Sequence, residues 1–86
     1  MKKILIVDNV LDEREDVYNI LLLEGYQVFQ AENGSVGFKK ALKENPDLII
    51  SEVILPKLTG LEMLVKLHKE TRTNIPLIFL SKKTKK

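Results

Sequence analysis

The chain has 86 residues and no cysteine, and 14 basic residues against 12 acidic ones give a formal net charge of +2. This length accommodates one small domain, the low charge does not indicate nucleic-acid binding, and the lack of cysteine excludes disulfides and the usual zinc sites. No apolar run approaches the roughly 20 residues of a membrane span, so we expect a soluble cytoplasmic protein without membrane or nucleic-acid partners.

The first two predicted elements are a buried strand and a helix with an acidic start. Ile4 to Val7 is a continuous aliphatic run, typical of a strand buried on both faces, and Asp8 stands at its carboxyl end. A helix is predicted from about Leu11 to Glu24, because acidic residues open it and a glycine follows it. Its apolar set is Val17, Ile20 and Leu21.

A second strand and a second helix follow. Gln27 to Ala31 alternates as a short strand, and Asn33-Gly34 is a turn signal. Ser35 is the predicted N-cap of a helix that runs to about Glu44. The apolar residues of this helix are Val36, Phe38, Ala41 and Leu42.

The remaining elements repeat the alternation. Leu48 to Val53 is the third predicted strand, and Thr59-Gly60-Leu61-Glu62 has the pattern of a capping box. It opens a third helix whose inward side is predicted to carry Leu61, Leu64, Val65 and His68. Leu77 to Leu80 is the fourth strand, and it ends at Ser81. Residues 1–81 therefore form one α/β domain, followed by a basic C-terminal tail at 82–86.

The order βαβαβαβ predicts a parallel sheet with helices on both faces, a three-layer arrangement. The functional crevice of such a sheet lies beyond the carboxyl ends of its strands. Asp8, Asn9, Glu52 and Ser81 all fall at such ends, although they are far apart in sequence. We therefore expect these polar residues to converge at one edge of the sheet.

Each of these residues has two interpretations. Asp8 and Asn9 could supply oxygen ligands to Mg²⁺, or Asp8 could cap the following loop or helix. Glu52 could be an anionic group at a phosphate-sized site, or a strand-end acid paired with a lysine. Ser81 could hydrogen-bond a phosphate, or it could be an ordinary polar residue of the loop. If Asp8 and Glu52 lie side by side, a cation, a proton or a lysine is expected between them.

Four segments identify a resemblance. KKILIVDN, EGYQVFQAENG, NPDLIISEVILPKLTGLEML and IPLIFLS closely resemble, in order and over nearly the whole chain, the receiver domain of bacterial two-component response regulators. The resemblance implies a flavodoxin-like fold with strand order 2-1-3-4-5. It also implies that a histidine kinase passes a phosphoryl group to an aspartate, in a site where acidic residues hold Mg²⁺.

The resemblance alone implies which residues of this chain occupy the functional positions of the family. Asp8 matches the first member of the acidic pair, and Glu52 matches the phosphoryl acceptor. Ile54 matches the residue whose carbonyl ligates the metal, and Ser81 matches the switch hydroxyl. The implied metal ligands are therefore Asp8, Glu52 and Ile54.

Three departures from the family pattern affect the expected function. Asn9 replaces the second acid, which should weaken Mg²⁺ binding, and Glu52 is longer than aspartate by one methylene. That methylene displaces the carboxylate by on the order of an ångström, enough to impair an in-line phosphoryl transfer. The chain also ends after the fourth strand, before the family's fifth strand and its lysine.

We therefore expect a truncated receiver-like signalling module that is not an enzyme, and that is phosphorylation-deficient or phosphomimetic. The alternatives are a phosphorylatable, Mg²⁺-dependent receiver and a self-associating structural module. The truncation predicts that Leu77 to Leu80 is an edge strand and that one side of the first helix is uncovered. Such apolar surface favours a homo-oligomer that pairs through the fourth strand.

Overall fold

The computed structural model describes residues 1–70 and 74–80. Four strands alternate with three helices in the order β1 (Lys3–Val7), α1 (Leu11–Leu23), β2 (Gln27–Ala31), α2 (Gly34–Glu44), β3 (Leu48–Glu52), α3 (Gly60–Glu70) and β4 (Leu77–Leu80). The strands form one parallel sheet in the order β2-β1-β3-β4, which confirms the predicted α/β flavodoxin-like fold. Within the described ranges, no helix is long and apolar enough to cross a membrane.

The sheet separates two apolar layers because successive side chains of a strand point to opposite faces. Leu5 and Val7 of β1 belong to the main core, with Ile49 of β3 and two residues of α3, Met63 and Leu67. Ile4 and Ile6 are also buried and point to the other face. There α1 packs against β1 and β2, whereas α2 packs against α3 and the same two strands.

The N-termini of α2 and α3 are capped by side chains, as the sequence indicated, although one cap is a different residue. Asn33 caps α2, because its Oδ1 accepts a hydrogen bond from the Val36 N–H at 2.8 Å. The prediction of Ser35 as the cap was wrong, since Ser35 already lies inside the helix. The capping box of α3 is confirmed: the Thr59 N–H donates to Glu62 Oε1 at 2.9 Å, and the Glu62 N–H donates to Thr59 Oγ1 at 3.1 Å.

The inward side of α3 differs from the prediction. Its buried residues are Gly60, Met63 and Leu67, which follow a helical spacing of three and four. Leu61 and Val65 are 56% and 47% exposed, and His68 is exposed too. The prediction chose the inward side of α3 from the pattern of its apolar residues. In the structure, the close approach of Gly60 to the sheet determines which side of the helix faces the core.

The apolar side of α1 is also less buried than predicted. Val17 and Leu21 are half-buried, but Ile20 is 59% exposed, and no residue of this helix is fully buried. The last residue of the predicted third strand, Val53, lies beyond β3 and is 43% exposed.

Gly60 connects the start of α3 to the end of β3. A Cβ atom at Gly60 would lie 2.3 Å from the carbonyl oxygen of Glu52 and 2.8 Å from the Phe79 ring. The Gly60 N–H also donates to the Val53 carbonyl at 2.8 Å. This position therefore holds the backbone next to Glu52 against the helix, at a distance that only glycine permits.

We expect Gly60→Ala to lower the free energy of unfolding by about 1–3 kcal/mol, because its methyl group must displace backbone atoms. Gly37→Ala is the matched control in α2. A Cβ there would meet the flexible side chains of Val7 and Met63 at 2.9 and 3.0 Å, which can adjust at smaller cost. Urea unfolding followed by circular dichroism measures both changes. Equal stability of the Gly60→Ala variant and the wild type would contradict the role given to this contact.

Candidate functional site

Two buried acids lie side by side at the carboxyl edge of the sheet. Asp8 directly follows β1, and Glu52 is the last residue of β3. The two strands pair with Val7 opposite Ser51, so the next residue of each chain segment is Asp8 and Glu52. Asp8 is 1% exposed and Glu52 is 7% exposed. Burial of a carboxylate is costly unless positive charge or hydrogen bonds compensate it. The surroundings of these two side chains must therefore supply such compensation.

A third acid joins this pair from α1. One carboxylate oxygen each of Asp8, Glu13 and Glu52 lies within 4.8 Å of the others, and we call these residues the acidic cluster. Sequence reasoning missed Glu13, because the acidic start of α1 was interpreted only as favourable charge at a helix N-terminus. No spacing in the sequence indicates this contact, because Asn9 precedes α1 and only the docking of the helix brings Glu13 to the strand ends.

Hydrogen bonds from two directions fix Asp8. Its Oδ1 accepts a hydrogen bond from the Val10 N–H at 2.9 Å, and its own N–H donates to the Ala31 carbonyl at 3.0 Å. The Arg14 guanidinium donates to the Asp8 carbonyl at 2.7 Å and to Gln30 Oε1 at 2.8 Å. Asp8 therefore caps the following loop, as its second interpretation predicted, and it also belongs to the acidic cluster.

The backbone around Glu52 is fixed as well. The Ser51 hydroxyl donates to the Glu52 carbonyl at 2.8 Å, and Gly60 packs against the same carbonyl. The main chain at both acids is therefore held by contacts beyond those of the carboxylates themselves.

The other predicted site residues are not brought into this cluster in the same way. Asn9 is exposed, and the Ile54 side chain is 83% exposed. The metal-binding role of the Ile54 carbonyl stays a prediction. Ser81, the predicted switch hydroxyl, lies outside the described residues, as does the basic tail at 82–86.

The donor set of the acidic cluster fits a hard divalent cation. Carboxylate oxygens are the ligands that Mg²⁺ prefers, and one or two protein carboxylates with water usually suffice to hold it. Two buried carboxylates with fixed backbones and a third from a helix provide such ligands at one point. The residues present therefore fit the ion implied by the resemblance.

Comparisons with known proteins agree with this geometry. The family model described as "Response regulator receiver domain" matches residues 4–86. The protein PilH of Pseudomonas aeruginosa is 36% identical over 84 residues, which cover 96% of this chain and 69% of PilH. The alkaline phosphatase synthesis transcriptional regulatory protein PhoP of Bacillus subtilis is 42% identical over 86 residues, but this chain spans only 34% of it.

Solved structures of receivers have the same fold. The chemotaxis response regulator CheY4 of Vibrio cholerae superposes with a TM-score of 0.90 at 32% identity, over 99% of this chain and 72% of that chain. The response regulator TrrA of Thermotoga maritima, solved in complex with Mg²⁺-BeF, gives 0.79 at 29% identity, over 94% and 88%. TrrA in complex with the histidine kinase ThkA gives 0.82 at 35% identity, over 92% and 69%. This chain belongs to the response regulator receiver domain family of two-component signalling.

Proposed function

We propose that this chain is a receiver module whose phosphoryl-acceptor position, occupied by Glu52, does not accept a phosphoryl group. The observation that carries the proposal is the placement of Glu52 at the end of β3, buried beside Asp8. In-line phosphoryl transfer depends on the positions of the attacking and leaving oxygens. Gly60 packs closely against the Glu52 carbonyl, which opposes a shift of the main chain that would offset the extra methylene.

We infer that the acidic cluster binds Mg²⁺. The match to TrrA, whose structure holds Mg²⁺-BeF, supports this ion as the ligand class. Asp8 and Glu52 would hold it, and a bound Mg²⁺ would neutralise negative charge in the site. The neutral Asn9 next to Asp8 supports a lower affinity than a receiver with an acid at this position would have.

We propose a histidine kinase, or another protein of two-component signalling, as the partner. The complex of TrrA with the histidine kinase ThkA supports this class. A receiver that does not accept the phosphoryl group would bind such a partner without removing the phosphoryl group from it. Glu52 would then act as a permanent negative charge at the position where other receivers change charge.

Incubation with acetyl phosphate and Mg²⁺, followed by intact-mass spectrometry, tests the acceptor proposal. We expect no gain of a phosphoryl group by the wild type, because the extra methylene of Glu52 moves its carboxylate away from the position that an aspartate carboxylate would occupy. The double variant Asn9→Asp/Glu52→Asp restores both acidic positions of the family pattern and is expected to gain one. A stable phosphoryl adduct on the wild type would contradict the proposal and favour the phosphorylatable receiver.

We also propose that the chain self-associates through β4. Ile6, Ile50 and Ile78 lie opposite one another in the register of β1, β3 and β4, on the face of the sheet where α1 packs. Ile6 is fully buried, Ile50 is half-buried and Ile78 is 52% exposed. Because α1 packs against β1 and β2, the helical cover of this face of the sheet decreases toward β4, an edge strand of the described sheet.

Size-exclusion chromatography with light scattering tests self-association at micromolar concentration. We expect the wild type to form a dimer or a larger oligomer, and Ile78→Lys to shift it toward the monomer, because a charge would be buried in the interface. Val65→Lys on α3 is the matched control, since Val65 is 47% exposed on another element. A single monomer peak with cooperative unfolding of the wild type would contradict the proposal.

The variant Glu52→Asp tests whether self-association depends on which acid stands at position 52. If Glu52 only blocks phosphorylation, this variant keeps the wild-type stoichiometry in the same chromatographic measurement. A change of stoichiometry would instead favour Glu52 as a phosphate mimic that controls assembly.

A further inference from the structure

We propose that a cleft between α2 and α3 binds an acidic, amphipathic helix of a partner protein. Two adjoining cavities of about 420 and 330 Å³ form this cleft, and Leu58 and Lys66 line both of them. We call it the α2–α3 cleft. Its described lining contains no residue of the acidic cluster, so the proposal is independent of metal binding and of phosphoryl acceptance.

The floor of the α2–α3 cleft is apolar and partly open to solvent. Phe38 and Leu58 are half-buried and pack against the main core. Leu61 and Val65 are exposed and lie one helical turn apart on α3. Aliphatic side chains at this spacing form a ridge on which another helix can pack. The floor therefore suits apolar side chains that a partner helix presents at the same spacing.

Lysines surround this apolar floor. All of them are exposed, and they are Lys39, Lys57, Lys66 and Lys69. Among the described residues, Glu62 is the one acid that lines the same cavities, and its Oε1 already accepts a hydrogen bond from the Thr59 N–H. Within residues 1–70 and 74–80, none of the four lysines forms an ion pair. Because the whole chain has a net charge of only +2, the cleft concentrates positive charge that complements an acidic partner.

Contacts between the walls fix the shape of the cleft before a partner binds. Lys66 Nζ lies 4.9 Å from the centre of the Phe38 ring, so a cation–π contact joins α3 to α2. A Cβ atom at Gly34 would collide with the Leu58 carbonyl, so the glycine lets the loop before α3 lie against the start of α2. A preformed cleft loses little conformational entropy when a partner binds, which favours docking.

The backbone at Lys57 supports a binding role for this lysine. Its φ is 75°, in the left-handed region that favours glycine. The Leu58 N–H donates to the Pro56 carbonyl at 2.8 Å and closes a tight turn around Lys57. A residue with a Cβ atom has a conformational cost at such a position. Glycine would fit this backbone better, whereas lysine places a positive charge at the rim of the cleft.

A protein helix fits the cleft better than other anionic partners. A nucleic-acid backbone would meet the lysines but would place charged phosphates against Leu61 and Val65. A bilayer surface is flat, whereas the apolar floor lies between two helices. The backbone groups of those helices are hydrogen-bonded within each helix, so they offer no edge to an extended strand. An amphipathic helix with acidic residues beside its apolar face complements both the floor and the lysines.

Fluorescence anisotropy with a synthetic peptide tests this inference on the full 86-residue chain. The labelled peptide has about twelve residues, with leucine at a helical spacing of three and four and glutamate elsewhere. We expect saturable binding at micromolar concentration. A second peptide, in which glutamine replaces every leucine, is expected to bind at least about tenfold more weakly, because it offers no apolar side chains to the floor.

Variants of the cleft locate the binding site. Lys57→Gly/Lys69→Gln is expected to weaken binding of the leucine peptide by about fivefold or more, because two cations at the rim are lost. Leu61→Gln is expected to weaken binding by about the same factor, because it removes apolar contact area. Lys2→Gln/Lys43→Gln is the matched control, since it removes the same charge from exposed positions outside the cleft. Its effect should remain below about twofold in salt.

Lys57→Gly alone separates binding from stability. Glycine adopts the left-handed backbone of this position without the cost that lysine has. We therefore expect this variant to be at least as stable as the wild type in urea unfolding, while it binds the leucine peptide about twofold or more weakly. A less stable variant with unchanged binding would show that Lys57 serves the fold and would overturn its role at the cleft.

The results decide between a protein helix and other partners. The proposal is overturned if the leucine peptide does not bind saturably, if both peptides bind equally, or if the charge control loses as much affinity as the cleft variants. Phosphatidylserine vesicles and a duplex DNA oligonucleotide are measured at the same salt concentration. Tighter binding of either one than of the leucine peptide, lost in Lys57→Gly/Lys69→Gln, would assign the cleft to a membrane or a nucleic acid and would also overturn the proposal.

Discussion

The pairing of β1 with β3 places two carboxylates side by side under the surface of a small protein, and the rest of the site depends on this constraint. Two ionised carboxylates that lie side by side repel each other. The fold must hold them against that repulsion. Backbone contacts of Asp8 and Glu52 hold the main chain in place at this edge.

We propose that a substitution at this edge changes the chemistry of the site while the fold is kept. The strands, their order and the packing of Gly60 are independent of which acid stands at the end of β3. A glutamate at this position carries the same charge as an aspartate, but its extra methylene places the carboxylate oxygens farther from the main chain. We propose that cation binding tolerates this shift, since the oxygen ligands of a cation can vary in position, whereas an in-line transfer depends on the position of one oxygen.

The strands could be predicted from sequence, because buried parallel strands such as Lys3–Val7 and Leu48–Glu52 contain continuous aliphatic runs. Their order in the sheet was implied by the resemblance to receiver domains. The convergence of Asp8 and Glu52 followed from topology alone. The rotation of α3 could not be predicted, since Leu61 and Val65 are as apolar as Met63 and Leu67. The close approach of Gly60 to the Glu52 carbonyl, a tertiary contact, decides between the two sides of that helix.

Glu13 escaped prediction for a related reason. Acids in the first turn of a helix are favourable whether or not they bind anything, so Asp12 and Glu13 look equivalent in sequence. They differ only in direction, which depends on how α1 is docked, and Arg14 fixes that docking by bridging the Asp8 carbonyl and Gln30. The acidic cluster is therefore a product of tertiary packing, which no single position in the sequence defines.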